Sequence, residues 1–222
     1  MHFIASFLSN VGVSGVPRTV DFGRTRGNYE ERIFTEGVLA VRRGSLHDYY
    51  NLMAWSLFPR SKVAINQIHH EAIEAESSAA AGERPGRGPR RDFLTILDEA
   101  GVLLLVDPTT DVATLAGEIR RIRQQASEMD YPSVITRILE EARVSMHVLG
   151  HALMETARVQ PGRMASVGAF AVILPADEGG PTLRALADRQ LSRFLLDNRE
   201  SLHPSLFPSL RLDVVFECLQ RS

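Results

Sequence analysis

Phe93-Leu94-Thr95-Ile96-Leu97 and Val102-Leu103-Leu104-Leu105-Val106 flank the four residues Asp98-Glu99-Ala100-Gly101. Two short apolar runs around a turn that ends in glycine predict a β-hairpin. Both runs are almost continuously apolar, the pattern of strands covered on both faces, as when helices pack on a sheet. The fold then depends on what flanks this unit.

Upstream the pattern is helical. Ser45 is a good N-cap for a helix starting at Leu46, with Asp48 at its third position as an acidic variant of the capping box. Phe58-Pro59 ends that helix, because proline disfavours helical backbone in the residue before it. A second helix then runs from Pro59 or Arg60 to about Glu76. Tyr29 to Val41, with Ile33, Phe34, Val38 and Leu39 around Gly37, gives a weak helix-or-turn signal. Residues 77–91, SSAAAGERPGRGPRR, are rich in Gly, Pro and Arg without apolar periodicity and read as an exposed loop.

Downstream, Asp111 caps a helix to about Met129, with Val112, Leu115, Ile119 and Ile122 on one face. Pro132 opens a longer helix to about Arg158, with Ile135, Ile138, Ala142, Leu149 and Leu153 as its core stripe. Met164 to Leu174 reads as a strand and Pro181 to Glu200 as an amphipathic helix. Leu212, Val214, Phe216 and Cys218 alternate with polar residues, a half-buried strand. This order predicts an α+β fold: a predominantly helical single domain over 29–222, with the hairpin and one or two further strands in a small sheet. Residues 1–28, rich in Gly, Ser, Val and Arg, read as an arm or irregular segment.

Of the 222 residues, 44% are hydrophobic and 23% charged, ordinary globular usage that argues against wholesale disorder. The formal net charge of −2 supplies no overall basic field, so nucleic acid is not an expected partner. No run approaches the roughly 20 apolar residues that span a bilayer. A single cysteine, Cys218, excludes an internal disulfide and cysteine-rich zinc fingers. Met1 to Leu8 is apolar but short, without a basic lead or cleavage site, so no signal peptide is read and a cytoplasmic location is expected. Walker loops, dinucleotide fingerprints and nucleophile elbows are absent, and Cys218 in a half-buried strand is a poor nucleophile.

Two constellations carry candidate chemistry. In the first, His47, Asn51 and Trp55 share one helical face, and Lys62, Asn66 and His69 or His70 form a stripe on the next helix. Two helices joined at a proline turn can bring these stripes into one groove, with imidazoles and the Asp48 carboxylate for metal binding or proton transfer. Arg60 and Lys62 would hold an anion. The bland reading is that Asp48 only caps a helix, Trp55 is a core anchor and Asn66 bridges helices. In the second, His147, His151 and Glu155 follow at spacings of four, which on one helix is zinc-ligand geometry. A solvated helix face gives the same pattern, and Val148 stands where a general-base glutamate is expected. Arg84, Arg87, Arg90 and Arg91 form a third cluster, which reads as a phosphate- or carboxylate-binding loop or, more simply, a solvated linker.

The run His47-Asp48-x-x-Asn51-x-x-x-Trp55-x-x-Phe58-Pro59-Arg60-x-Lys62-x-x-x-Asn66-x-x-His69 resembles the central signature of a bacterial family, common in proteobacteria, known only as a domain of unknown function. Arg91-Asp92-x-Leu94-Thr95-x-x-Asp98-Glu99-x-Gly101 is similar to its second motif, and Gly150-His151-Ala152-Leu153-x-Glu155 to its third. The resemblance implies no established reaction. It selects His47, Asp48, Asn51, Arg60, Asn66, His69, Arg91, Asp92, His151 and Glu155 and omits His147.

The resulting expectation is an enzyme with a polar cleft in which His47, Asp48, His69 and His151 are catalytic. A divalent ion (zinc, manganese or magnesium) would sit on His47, His69, His151 and Glu155. Asn51, Arg60, Lys62, Asn66, Arg91 and Asp92 would bind an anionic small molecule, for hydrolysis or group transfer. The alternatives are a non-catalytic binding or protein-interaction module and, behind it, a nucleic-acid-binding protein or nuclease.

Overall fold

The computed structural model describes residues 13–21, 29–79, 88–176 and 182–221. In chain order its first elements are β1 (Arg18–Asp21), α1 (Tyr29–Glu36), β2 (Val38–Val41), α2 (Leu46–Leu57) and α3 (Pro59–Ala79). Then come α4 (Pro89–Ala100), β3 (Gly101–Val106), α5 (Val112–Gln125), α6 (Tyr131–Glu141), β4 (Ser145–Val148) and α7 (His151–Val159). The chain closes with β5 (Gly168–Pro175), α8 (Leu183–Asp197), β6 (Ser209–Arg211) and α9 (Leu212–Arg221).

The α+β architecture is built on a mixed four-stranded sheet in the order β4-β3-β5-β6, with β3 parallel to β5 and the two outer strands antiparallel to their neighbours. Side chains alternate across it. Leu103, Leu105, Val172 and Leu174 face a core closed by α3, α4 and α8. Val102, Leu104, Ala171 and Ile173 face a second core closed by α5, α6 and α9. Burial on both faces explains the unbroken apolar runs of β3 and β5. A third, smaller core of Ile33, Leu39, Val41, Leu52 and Trp55 lies under the parallel β1–β2 pair and places Trp55 as an anchor.

The helix pair α2 and α3 follows the expected pattern. Ser45 Oγ accepts from the Asp48 N–H, and α3 starts at Pro59. The Asp48 carboxylate, however, turns to Arg42 and makes no reciprocal capping bond among those resolved at this helix start. Asp111 caps α5 as expected, through the N–H groups of Ala113 and Thr114.

The expected hairpin does not form, because residues 93–100 belong to α4. Pro89 sits in its first turn, where a missing N–H costs nothing. Phe93, Leu94 and Leu97 fall on one helical face and are fully buried. Gly101 stops the helix by donating to Leu97 O, and a Cβ at 101 would stand 2.2 Å from that oxygen. The chain passes from helix into strand with no loop between.

The long helix expected over 132–158 is three elements. Helix α6 stops at Glu141, Arg143 takes a left-handed φ of 49°, and β4 pairs along the edge of β3 with His147 opposite Leu103. His147 therefore shares no helical face with His151 and Glu155; its Nε2 lies 3.1 Å from Ser145 Oγ. The C-terminal strand is likewise replaced. Strand β6 is short, and from Leu212 the chain is helical, burying Leu212 and Val215 at the i, i+3 spacing that an alternating reading overlooks.

Residues 77–79 and 89–91 belong to helices, while residues 80–87 of the expected Arg loop, with Arg84 and Arg87, lie outside the described residues. So does most of the expected N-terminal arm; its described part includes β1. Among the described residues no helix is long and apolar enough to cross a membrane.

Candidate functional site

Three stretches far apart in sequence meet where α4 ends and α7 begins. The meeting depends on two glycines. Gly150 packs on the α4–β3 corner, with Leu149 N and Gly150 N both donating to Gly101 O at 3.0 and 2.9 Å. A Cβ at 150 would lie 2.5 Å from Gly101 N and 2.7 Å from Glu99 O, so only glycine admits this approach. It sets His151, the first residue of α7, against Asp98 and Glu99. Helix α2 packs on α7 and brings His47 to the same place.

The contacts there are short. His47 Nε2 and His151 Nε2 face each other at 3.0 Å, and Glu99 Oε2 lies 3.5 Å from His151 Nε2. His151 Nδ1 lies 2.8 Å from the Asp98 carbonyl oxygen, and His47 Nδ1 lies 3.0 Å from Glu155 Oε2. A carbonyl and a carboxylate only accept, so both imidazoles donate through Nδ1. If both rings are uncharged, each turns its Nε2 lone pair on the other, beside the Glu99 side chain. His47, Glu99 and His151 each offer one metal-ligand atom, all within 4.8 Å of one another.

The surroundings fix the charges. Burial lowers the His151 pKa to about 4, with the Asp98 carboxylate opposing that shift. Burial also raises the Glu99 carboxyl above the ordinary glutamate range. Asp98 is pushed up by burial, but the Lys62 ammonium and the imidazoles of His151 and His69 outweigh this and hold it low. Lys62 itself is 3% exposed, ion-paired to Asp98, and donates to Asn51 Oδ1 at 2.9 Å. Asp48 receives the Arg42 backbone N–H at 2.6 Å and its guanidinium at 2.7 and 3.0 Å. Those bonds overcome the upward push of burial and keep Asp48 below the ordinary aspartate range.

A cavity of about 300 Å³ opens beside the cluster. Its wall includes His47, Asp48, Asn51 and His151, which sequence reasoning selected. It also includes Tyr29, Glu30, Arg42, Asp98 and Glu99, which that reasoning passed over. The hairpin expectation puts Glu99 in a turn; reading Pro89 as a helix start places it in the last turn of α4. Glu155 stands behind His47 on its Nδ1 side. His69 is buried and outside the ligand-distance set, though near enough to act on Asp98.

Arg60, Lys62, Asn66, Arg91 and Asp92 do not line this cavity. The Arg60 N–H donates to Asp188, the Asn66 amide donates to Glu30, and Arg91 pairs with Glu76 at 2.9 Å. Asp92 lies in the first turn of α4. His70 stacks on Phe34 with ring centroids 4.1 Å apart, away from the cluster.

Comparison with curated proteins and with solved structures finds no match. The family model described as Protein of unknown function (DUF3025) matches residues 19–210, and the chain belongs to that family.

Proposed function

We propose that this member of the DUF3025 family is a metal-dependent enzyme that hydrolyses a small molecule, with a divalent ion held by His47 Nε2, His151 Nε2 and Glu99. One observation carries the reading: two imidazoles whose Nδ1 hydrogens are both committed to acceptors turn their lone pairs on each other at 3.0 Å, next to a carboxylate. Three electron-rich atoms in contact repel unless a cation lies among them. A proton in that place would have to be carried by His47, because burial disfavours charge on His151. An ion about 2.1 Å from each nitrogen would subtend about 90° at that separation, so reaching the tetrahedral angle usual for zinc needs the two nitrogens to part by about 0.4 Å. Imidazole donors favour zinc or iron(II) over magnesium or manganese.

The rest of the cluster suits that role. The Asp98 carbonyl and the Glu155 carboxylate fix the tautomers of the two ligand imidazoles, as supporting groups do around metal-bound histidines. Glu155 thus becomes a supporting residue and Glu99 the third ligand, while His69 falls outside the ligand set. A bound divalent ion supplies Lewis acidity and lowers the pKa of coordinated water. Three protein ligands leave positions open toward the 300 Å³ cavity.

Calorimetric titration of chelator-treated, tag-free protein with zinc tests this. One zinc per chain is expected, with binding lost in His47→Ala and weakened at least tenfold in Glu99→Gln while both variants stay folded. Wild-type protein that binds no zinc, or binds it equally well as Glu99→Gln, overturns the reading. The interaction-module alternative predicts the reverse, with His47→Ala unfolding the chain and zinc without effect.

A further inference from the structure

The hydrogen-bond chain behind the cavity has a fixed polarity. Lys62 Nζ has only hydrogens to give, and it donates to Asn51 Oδ1 at 2.9 Å. That contact sets the orientation of the Asn51 amide, so its Nδ2 is the atom 2.8 Å from Tyr29 OH and must donate to it. The phenol oxygen is thereby an acceptor toward Asn51, and its own hydrogen is left over. Among the described residues no protein acceptor takes that hydrogen, and Tyr29 lines the same cavity as His47, Glu99 and His151.

Charge restricts what the phenol can serve. Four carboxylates line the cavity, from Glu30, Asp48, Asp98 and Glu99. Against them stand the Arg42 guanidinium on Asp48 and the Lys62 ammonium on Asp98. A divalent ion brings the wall to about neutrality and leaves no surplus of positive charge for a phosphate dianion. Of the cations expected from sequence to hold an anion, Lys62 is neutralised by Asp98, Arg91 pairs with Glu76, and Arg60 does not line the cavity.

We propose that Tyr29 is a catalytic hydrogen-bond donor, and that the substrate is an uncharged acyl compound, an ester or amide, whose carbonyl oxygen the phenol and the metal site hold together. This rests on the metal reading above. In the reaction, water adds its hydroxyl to the acyl carbon, the bond from that carbon to the leaving oxygen or nitrogen breaks, and the leaving atom takes the water's remaining proton. Tyr29 keeps its proton throughout and donates to the acyl oxygen as negative charge develops there, the role of an oxyanion-hole donor. Tyr29 as a whole is 36% exposed, but packing around its hydroxyl, with Glu30 and Asp98 beside it, raises its pKa above the ordinary value, consistent with a phenol that donates without ionising.

The test uses the full chain loaded with zinc and acetohydroxamate, a small chelator with an acyl oxygen, as calorimetric probe. Wild type is expected to bind it, and Tyr29→Phe to bind it about tenfold more weakly with zinc affinity unchanged, while loss of the acceptor for the Asn51 amide lowers the melting temperature by a few degrees. Equal acetohydroxamate affinity in the two proteins overturns the role of Tyr29 while leaving the metal reading intact. Zinc-loaded wild type that ignores acetohydroxamate, or binds inorganic phosphate more tightly, overturns the acyl assignment. Wild type that binds no zinc overturns the metal reading and this proposal with it.

Discussion

Gly150→Ala perturbs the site without touching a polar group. The added Cβ would stand 2.5 Å from Gly101 N and 2.7 Å from both Ala100 Cα and Glu99 O. All three are backbone atoms, so no side chain can swing aside. Bringing the closest approach to about 3.0 Å parts the two segments by about 0.5 Å, since close-packed backbone has no other outlet. One segment continues into His151 and the other carries Asp98 and Glu99, so the displacement falls on the 2.8 Å bond from His151 to Asp98 O and on the 3.5 Å approach to Glu99. Metal-ligand distances tolerate about 0.2 Å. Zinc affinity should therefore fall about 10- to 100-fold, while overpacking lowers stability by about 1–3 kcal/mol. Competition against a fluorescent zinc chelator reads the first effect, and urea denaturation the second. Gly117→Ala in α5, where a Cβ meets nothing within 4 Å, is the control and should leave zinc affinity unchanged. A folded Gly150→Ala protein with wild-type zinc affinity refutes the claim that the Gly101–Gly150 contact sets the ligand geometry.

Two further outcomes follow from the charges. The His151 pKa is held near 4 by burial, below its unfolded value, so between those pH values the unfolded chain binds a proton that the folded chain does not. In chelator-treated protein that stability is complete above about pH 6.5 and is lost as pH falls toward 4, by about 3 kcal/mol in all; His151→Gln should flatten the urea-denaturation profile over that window, and an unchanged slope would refute the assignment. Lys62→Met removes the cation from the Lys62–Asp98 pair, in which the lysine is 3% and the aspartate 18% exposed, and should cost about 3–5 kcal/mol. Adding Asp98→Asn should recover part of that loss, and a single variant within 1 kcal/mol of wild type would count against a buried pair.

Local signals in the sequence located the elements whose boundaries are set locally. Ser45, Pro59 and Asp111 mark the starts of α2, α3 and α5 through capping and proline chemistry that involves only near neighbours. The misread elements are those decided by contacts far along the chain. Phe93 to Leu97 suits helix and strand alike, and α4 is helical because its buried face closes the core over β3 and β5. Ser145 to Val148 continues a helical stripe in sequence, yet it forms an edge strand because β3 lies beside it. The site was partly legible for the same reason. His47 and His151 stand out by residue type, and both line the cavity. Glu99 did not, because its role depends on where α4 ends, and Tyr29 did not, because its role depends on the polarity of a hydrogen-bond chain that no spacing encodes.

Anomalous diffraction from zinc-loaded crystals would locate the cation proposed to be shared by His47, His151 and Glu99. One peak is expected, about 2.0–2.1 Å from both Nε2 atoms and about 2.0–2.2 Å from a Glu99 oxygen. Full zinc loading with no peak among these three side chains, or two imidazoles still 3.0 Å apart with only a proton between them, would contradict it.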